Sequence, residues 1–355
     1  MKKILFVVPY PVGAAPSQRF RFEQYFMVLR AQGYSYEIYS FWSGWGWNIL
    51  YKRGFFIQKI LAFAQGLIGR IGLLFIVPKY QYVFIHREVL PVGPPFFEWI
   101  IAKIFRKPII YDFDDAIWLP NTSDQNRVVA AIKNHGKVKK ICSWSWKVSC
   151  GNGFLADFAR EYCEKVIINP TTIDTDYHVP FINTSVPKPL VIGWTGTHST
   201  TRYLLPLVPV FKKLKKVHAF EIRIISNQPP DWDFNDYIFI PWSQSEEIEQ
   251  LQYFDIGVMP LEDTDWEKGK CGFKALQYMA LEIPAVASSV GANREIIDHG
   301  INGFLCQNQE DWFTYLEQLI VSEKLRKSIG IEGRKKVLEK YSVHSNASLF
   351  LSLFE

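Results

Sequence analysis

The sequence predicts an α/β protein of two domains, each with a parallel sheet covered by helices on both faces. Its 355 residues exceed the size of one typical domain. Short apolar runs alternate with helix-length segments, and the runs are continuously apolar, as is typical of buried parallel strands. A proline-rich stretch without apolar periodicity, residues 169–189, interrupts this alternation and indicates a connection between domains.

The first domain is predicted to be a doubly wound, Rossmann-like unit at residues 1–175. Its predicted strands are residues 4–8, 35–39, 82–86, 109–112, 147–150 and 165–168. Helix-length segments separate these strands. Such alternation favours a sheet with helices on both faces.

A second alternating series predicts another Rossmann-like domain at residues 176–340. Its predicted strands are residues 190–194, 222–225, 238–240, 256–259, 285–288 and 303–305. Helices are predicted between them, at residues 273–280 and 311–319 among others. Residues 341–355 are expected to form a final helix that packs back toward the first domain.

Composition excludes several classes of protein. A hydrophobic content of 48% with 21% charged residues is that of an ordinary globular chain, which excludes long disorder and fibrous structure. The net charge is +5, and between Lys52 and Lys107 the acids are limited to Glu88 and Glu98. This basic region favours an anionic partner. It forms no recognised nucleic-acid motif, so we expect no nucleic-acid partner.

The N-terminus and the cysteines predict a cytoplasmic location. Five apolar residues that end at Pro9 are too few for a signal peptide. The five cysteines are widely spaced and lack the CxxC or paired histidine spacing of a zinc or redox site. We therefore expect reduced thiols inside the cell.

Residues 255–312, which begin DIGVMPLEDTDWEKGKCGFKALQYMALEIPAVASS, resemble the donor half of family-four (group 1) retaining glycosyltransferases. The segments PYPVGAAPSQRFRF, IHREVLPVGP, YDFDDAIW and NPTTIDTDYH are similar to parts of the N-terminal half. The resemblance implies a GT-B fold, with two Rossmann-like doubly wound domains facing a central cleft. The N-terminal domain would bind the acceptor, and the C-terminal domain would bind the nucleotide sugar.

The resemblance also implies an activity. The co-substrate would be a nucleotide-diphosphate sugar, UDP- or GDP-linked, and no metal or other cofactor would be needed. The acceptor would be a glycan or a lipid-linked oligosaccharide in cell-surface polysaccharide synthesis. A nucleotide-sugar epimerase of the same fold is an alternative reading.

Two glycine-rich turns are candidates for binding the donor, because a departing nucleotide dianion needs fixed positive charge and backbone N–H groups. One is GWTGTHS, residues 193–199, and the other is GKCGFK, residues 269–274. Either turn alone could be a simple connection. The predicted donor-binding residues are Gly13, Gly196, Thr197, His198, Arg202, Lys270, Gly272, Phe273, Lys274 and Gln277. Lys274 is also predicted to be catalytic, since its ammonium would stabilise the departing diphosphate.

The chain departs from the family pattern at the donor site. The family carries two glutamates eight residues apart, and here Gly269 and Gln277 stand in their places. An amide can hydrogen-bond the ribose hydroxyls, but without charge-assisted strength. A catalytically degenerate protein that only binds sugar nucleotides is therefore a further alternative.

Acids follow the fourth predicted strand, where parallel sheets bind ligands. Asp114 and Asp115 are predicted catalytic residues, because either carboxylate could orient or deprotonate an acceptor hydroxyl. A DxD metal site and helix capping by Asp115 are the alternatives, and we expect no bound metal. The predicted acceptor-binding residues are Arg19, Arg21, Arg87 and Glu88.

The stretch at residues 41–59 mixes tryptophan and phenylalanine with cations, which is typical of membrane interfaces. The apolar segment that follows, up to Val77, is too interrupted by charge to span a bilayer. Peripheral contact with the inner face of the cell membrane and packing against the first sheet are equally weighted expectations.

Overall fold

The computed structural model describes residues 2–50, 52, 54–120, 134–180 and 189–355. They form two compact units, Met1–Thr171 with Asn346–Glu355, and Thr172–Ser345. Two parts of the sequence predictions, Tyr51 and Arg53 of the aromatic stretch and residues 181–188 of the connection, lie outside the described residues. Each unit contains a six-stranded parallel sheet.

The first unit has the strand order β2-β1-β3-β4-β5-β6. The strands are β1 (Lys2–Val8), β2 (Tyr34–Ser40), β3 (Tyr82–His86), β4 (Ile109–Phe113), β5 (Lys147–Cys150) and β6 (Val166–Ile168). The helical segments are Pro16–Arg19, Glu23–Tyr25, Phe26–Ala31, Gly44–Leu50, Phe56–Ile76, Val77–Lys79, Phe96–Trp99, Ile100–Ile104, Lys137–Trp144, Gly153–Arg160 and Ser352–Phe354.

The second unit has the strand order β12-β11-β10-β7-β8-β9. Its strands are β7 (Val191–Thr195), β8 (Glu221–Ser226), β9 (Ile238–Pro241), β10 (Ile256–Met259), β11 (Ala285–Ser288) and β12 (Phe304–Cys306). Its helical segments are His198–Leu207, Val208–Leu214, Glu247–Leu251, Asp265–Lys268, Phe273–Ala280, Asn293–Ile296, Gln309–Val321, Glu323–Lys336 and Val337–Tyr341. Helix Val343–Leu351 begins in this unit and ends in the first.

The twelve strands coincide with the twelve predicted from the sequence, and their ends differ by at most two residues. Capping side chains explain several helix starts. The Asn308 Oδ1 accepts from the N–H groups of Glu310 and Asp311 at the start of Gln309–Val321, as is usual for an N-cap asparagine. The predicted α/β fold with two doubly wound sheets is confirmed.

Aromatic side chains fill the core of the first unit. Phe6 of β1 stacks against Phe22 at 5.4 Å between ring centroids. Residues 346–355 belong to this core, because the Phe350 ring stacks on Tyr25 at 4.2 Å and Phe354 lies against Phe84. The final segment of the chain therefore completes the core of the first unit.

The tryptophan-rich stretch divides between core and surface. Phe41 and Trp42 are buried and pack against Ala62. Trp45 is 48% exposed. The packing expectation therefore holds for the first two rings.

Candidate donor and acceptor sites

The first glycine-rich turn follows β7 and is held by the end of β8. The Gly196 N–H donates to the carbonyl of Ile225 at 3.0 Å. A Cβ at Gly196 would lie 2.5 Å from Cη2 of Trp194, so a side chain here would require the indole to move. The His198 N–H donates to Oδ1 of Asn227 at 2.8 Å, and Thr197 is exposed beside it.

Helix His198–Leu207 extends this turn and carries Arg202. The exposed Arg202 guanidinium donates to the Tyr203 hydroxyl at 3.4 Å and lies 5.1 Å from the centre of that ring. The Tyr203 hydroxyl donates to the buried carboxylate of Glu267, which also accepts from Thr264. Desolvation raises the pKa of Tyr203. Glu267 was missed in the sequence, although it anchors the first turn to the segment before the second.

The second turn begins helix Phe273–Ala280 at Gly272, whose φ is +68°. A Cβ at this position would lie 2.1 Å from Cδ1 of Ile296. Both the left-handed backbone and the space therefore require glycine. The Lys270 ammonium lies 5.7 Å from the ring centre of Trp266, and Phe273 is partly buried.

Lys274 brings the two turns together. Its ammonium lies 5.5 Å from the ring centre of Trp194, on the strand that leads into the first turn. This distance is within the range of a cation–π contact. The structure therefore places a cation of the second turn beside the first.

Gln277 is fully buried, so it offers no exposed atom to a ribose. Its Nε2 donates to Oε1 of Glu247 at 3.1 Å. Within the described residues its Oε1 has no hydrogen-bond partner. The predicted direct contact with a nucleotide is thus not available in this conformation. Glu247 is a buried neighbour that was missed, because it lies 30 positions away in the sequence.

Gly13 lies in the loop after β1, in the first unit. Its φ is +78°, and its N–H donates to Oε2 of Glu23 at 2.9 Å. Gln18 bonds both the N–H and the carbonyl of Tyr10, at 2.9 and 3.0 Å. Burial raises the pKa of Glu23. Gln18 and Glu23 fix this loop, and neither had been singled out from the sequence.

Arg87, Asp114 and Asp115 form one cluster at the ends of β3 and β4. The guanidinium donates to Oδ1 of Asp114 at 3.0 and 2.8 Å, and to Oδ2 of Asp115 at 2.5 Å. All three side chains retain some exposure to solvent. Burial lowers the pKa of Arg87, but the two carboxylates outweigh it, and the net pKa is raised. A predicted acceptor-binding residue and the predicted catalytic acids therefore meet.

The other predicted acceptor-binding residues have different environments. The Glu88 carboxylate pairs with the buried ammonium of Lys137 at 2.6 Å. Arg19 is partly buried, with its guanidinium 5.0 Å from the ring centre of Phe20. No helix begins at Asp115 within the described residues up to Pro120, so the capping alternative for that residue is wrong.

The prediction that Arg21 binds the acceptor is wrong, because its side chain is buried inside the first unit. It is 1% exposed, and its guanidinium bonds the Asp112 carboxylate and the Asn169 carbonyl. Asp112 also accepts from His86 at 2.8 Å and from Ser149 at 2.6 Å. A buried carboxylate of this kind requires a cation and hydrogen-bond donors, and Arg21 supplies both inside the unit.

A pocket of about 650 Å³ opens in the second unit at the ends of β10, β11 and β12, within the size range of small-molecule sites. Tyr203, Leu261, Ser288, Arg294, Asn308 and Trp312 are among its lining residues.

Across the described part of the chain, no group of three or more His, Cys, Asp or Glu side chains is arranged to hold a metal ion.

Residues 189–322 match the family model described as Glycosyl transferases group 1. The matched range contains both glycine-rich turns, helix Phe273–Ala280 and the pocket. This range, which lies in the second unit, is therefore similar to the group 1 glycosyl transferases.

Two curated relatives of this chain are glycosyltransferases by name. The human alpha-1,3/1,6-mannosyltransferase ALG2 is 35% identical over 72 residues, which cover 20% of this chain and only 17% of that protein. The capsular polysaccharide biosynthesis glycosyltransferase CapM of Staphylococcus aureus is 22% identical over 290 residues, 78% of this chain and 70% of that protein.

Solved structures share its fold. The sucrose-phosphate synthase of Thermosynechococcus elongatus superposes with a TM-score of 0.73 at 11% identity, covering 100% of this chain and 98% of that one. Anabaena HepE in complex with UDP and glucose gives a TM-score of 0.65 at 13% identity, covering 100% and 99%. These likenesses show that the chain has the GT-B fold.

Proposed function

We propose that this chain is a group 1 glycosyl transferase, a retaining, metal-independent enzyme that moves a sugar from a UDP- or GDP-linked donor to a glycan or lipid-linked acceptor. The reaction would serve cell-surface polysaccharide synthesis at the cytoplasmic face of the membrane. The observation that carries the proposal is the position of Lys274, whose ammonium lies 5.5 Å from the ring of Trp194 beside the first glycine-rich turn.

The donor is proposed to bind to the second unit. A departing nucleotide diphosphate gains negative charge in the transition state, and preorganised cations and N–H groups stabilise it. Lys274 and Arg202 are cations that the two turns and the helix after the first turn supply. In support, HepE, which shares the fold, has been solved with UDP, glucose and UDP-glucose.

The acceptor is proposed to bind to the first unit at Arg87, Asp114 and Asp115. A carboxylate within hydrogen-bond reach of a hydroxyl is the simplest group to orient or deprotonate it. Arg87 holds both carboxylates in one orientation. CapM supports a polysaccharide acceptor, because its name places it in capsular polysaccharide biosynthesis.

The experiment that tests this function measures release of nucleotide diphosphate from a panel of UDP- and GDP-sugars, with and without membrane-extracted glycan acceptors. Transfer that persists in EDTA, with retained anomeric configuration in the product, is the expected result. A strict requirement for Mg²⁺ or Mn²⁺ would contradict metal independence. Inverted configuration would contradict the retaining mechanism.

A catalytically degenerate binding protein is the second candidate, because Gly269 and Gln277 occupy the places of the family's two glutamates and Gln277 is buried. The same panel separates the two. A competent enzyme hydrolyses its donor slowly without acceptor, whereas a binding protein shows a thermal shift with nucleotide and no release. At 100 times its dissociation constant, a ligand stabilises by about 2.7 kcal/mol.

A further inference from the structure

Helix Phe56–Ile76 exposes many of its apolar side chains and buries one of its two cations, Arg70. Ile57, Ile68 and Phe75 are 71%, 70% and 80% exposed. Ile60, Leu61 and Ile71 share this exposed face. The face recurs every three to four residues, so it forms one continuous stripe along a helix about 30 Å long. We call this stripe the outer face.

The opposite side of the helix is pressed onto the first unit. Ala62, Gly66 and Leu73 are buried there. A Cβ at Gly66 would lie 2.7 Å from the carbonyl oxygen of Phe41. Small residues thus let this side of the helix approach the neighbouring backbone closely.

Arg70 fixes the helix in this orientation. Its guanidinium donates to the carbonyls of Val8, Tyr39 and Val89 at 2.7, 2.8 and 2.9 Å. Burial lowers the pKa of Arg70 to about 9, which still leaves it charged at neutral pH. Rotating the helix to hide the outer face would break these three hydrogen bonds and leave the carbonyls without their donor.

A second exposed apolar group flanks the same anchor. The Val89 N–H donates to the buried Glu98 carboxylate at 3.0 Å, on helix Phe96–Trp99. The exposed side of that helix carries Phe96 and Trp99, which are 57% and 40% exposed. Both helices therefore direct a charged residue inward to Val89 and leave apolar residues in solvent.

Exposed cations flank both helices in the sequence. Lys52, Lys79, Lys103 and Arg106 are exposed. The sequence contains no Asp or Glu between Glu37 and Glu88. An apolar stripe that is flanked in the sequence by exposed cations is complementary to a bilayer surface with anionic headgroups.

We propose that the outer face is a docking surface for an anionic lipid bilayer, with the helix lying in the plane of the interface. The expectation that this segment is too interrupted by charge to span a bilayer is wrong by length and composition: among the described residues, Phe56–Lys79 is the helix that is long and apolar enough to cross a membrane. The Arg70 contacts with Val8, Tyr39 and Val89 oppose crossing, because they would have to break. The inference deepens the proposed function by naming the surface that meets the membrane of a lipid-linked acceptor.

The test is co-sedimentation of the whole protein with vesicles of phosphatidylcholine and phosphatidylglycerol in equal parts, and with pure phosphatidylcholine. Binding to the mixed vesicles that weakens with salt is expected. The variant Ile57→Gln/Ile68→Gln/Phe75→Gln should bind at least about tenfold more weakly, because it loses the apolar area that would be buried. Lys79→Gln should weaken binding about fivefold.

The matched control is Val217→Gln/Ile301→Gln/Val321→Gln, three residues of the second unit that are 65%, 60% and 65% exposed. It should bind like the wild type. Any of three results would overturn the proposal: no binding by the wild type, equal binding by the outer-face variant, or resistance of bound protein to alkaline carbonate, which would indicate a spanning helix. The assay contains no donor or acceptor, so its failure is distinct from failure of the glycosyltransferase activity.

Discussion

Gln277 and Glu247 share a hydrogen bond inside the second unit, in which Nε2 donates to Oε1 over 3.1 Å. Both residues are nearly inaccessible to solvent, at 0% and 4% exposure. A glutamate at position 277, which the family pattern would place there, would face a second carboxylate. The glutamine is therefore suited to this neighbour.

Gln277→Glu should destabilise the protein in a pH-dependent manner. Burial and the nearby carboxylate raise the pKa of the introduced carboxyl above its unfolded-state value of about 4.3. The loss of stability relative to the wild type is therefore absent below that pH. It grows as pH rises through the folded-state pKa, and reaches about 1 to 3 kcal/mol. Chemical denaturation from about pH 4 to about pH 8 measures it.

The control for this substitution is Gln244→Glu, at an exposed position, which should change stability little at any pH. If Gln277→Glu loses the same stability at all pH values, the charge of the introduced carboxylate is not the cause of the loss.

Lys274→Ala should lower turnover about 100-fold, the usual scale for loss of one group that stabilises developing charge. Lys268→Ala is the matched control, because its ammonium pairs with Asp265 at 2.9 Å on a half-exposed surface. Steady-state kinetics with the active donor, together with nucleotide-diphosphate affinity, measure the effect. A folded Lys274→Ala protein with unchanged turnover and affinity would refute the donor-site role of this lysine.

Asp115→Asn should lower turnover about 100-fold while donor affinity stays nearly unchanged, because the amide cannot accept the proton of an acceptor hydroxyl. Arg87→Lys should have a smaller effect in the same direction, since lysine lacks the planar fork that holds both Asp114 and Asp115. Asp236→Asn, on the exposed surface of the second unit, is the control. Loss of nucleotide binding by Asp115→Asn would reassign that residue to the donor.

Asp112→Asn should destabilise the protein by about 3 to 5 kcal/mol at neutral pH, because it leaves the Arg21 charge buried and uncompensated. Burial raises the pKa of Asp112, but Arg21 and His86 lower it further, and the net pKa lies below the ordinary value. The stability from this carboxylate is therefore full above about pH 4 and is lost as pH falls toward the folded-state pKa.

Thermal unfolding of Asp112→Asn at neutral and acid pH measures this dependence. The difference in stability between Asp112→Asn and the wild type should become smaller at acid pH. Asp157→Asn, which removes one partner of an exposed pair with Arg160, should be nearly neutral at both pH values. An equal deficit of Asp112→Asn at both would contradict the charge argument.

The fold could be predicted from local patterns in the sequence. Buried parallel strands such as β4 and β10 are continuous apolar runs, so their positions follow from composition alone. The glycines at 196 and 272 also have local signatures, because tight turns need them. Contacts between distant positions have no such signature. The Glu247–Gln277 bond and the Glu267–Tyr203 bond span 30 and 64 positions.

The sequence predictions for individual side chains were wrong mainly where a residue expected at the surface is buried. Arg21 has the sequence context of a surface arginine after a loop, but 91 positions separate it from Asp112, the carboxylate that neutralises it. Trp42 belongs to an aromatic stretch that resembles an interfacial segment, yet Ala62 on the following helix buries it. Neither partner can be identified from neighbouring sequence.

The stacking of Phe350 on Tyr25 has a consequence for synthesis on the ribosome. Residues 172–345, which form the second unit, are translated between these two rings. The β-sheet of the first unit can thus be synthesised early, but its aromatic core stays incomplete until the whole second unit has been made. Domains generally fold in the order of synthesis. Here the unit whose translation begins first is the last to have a complete core.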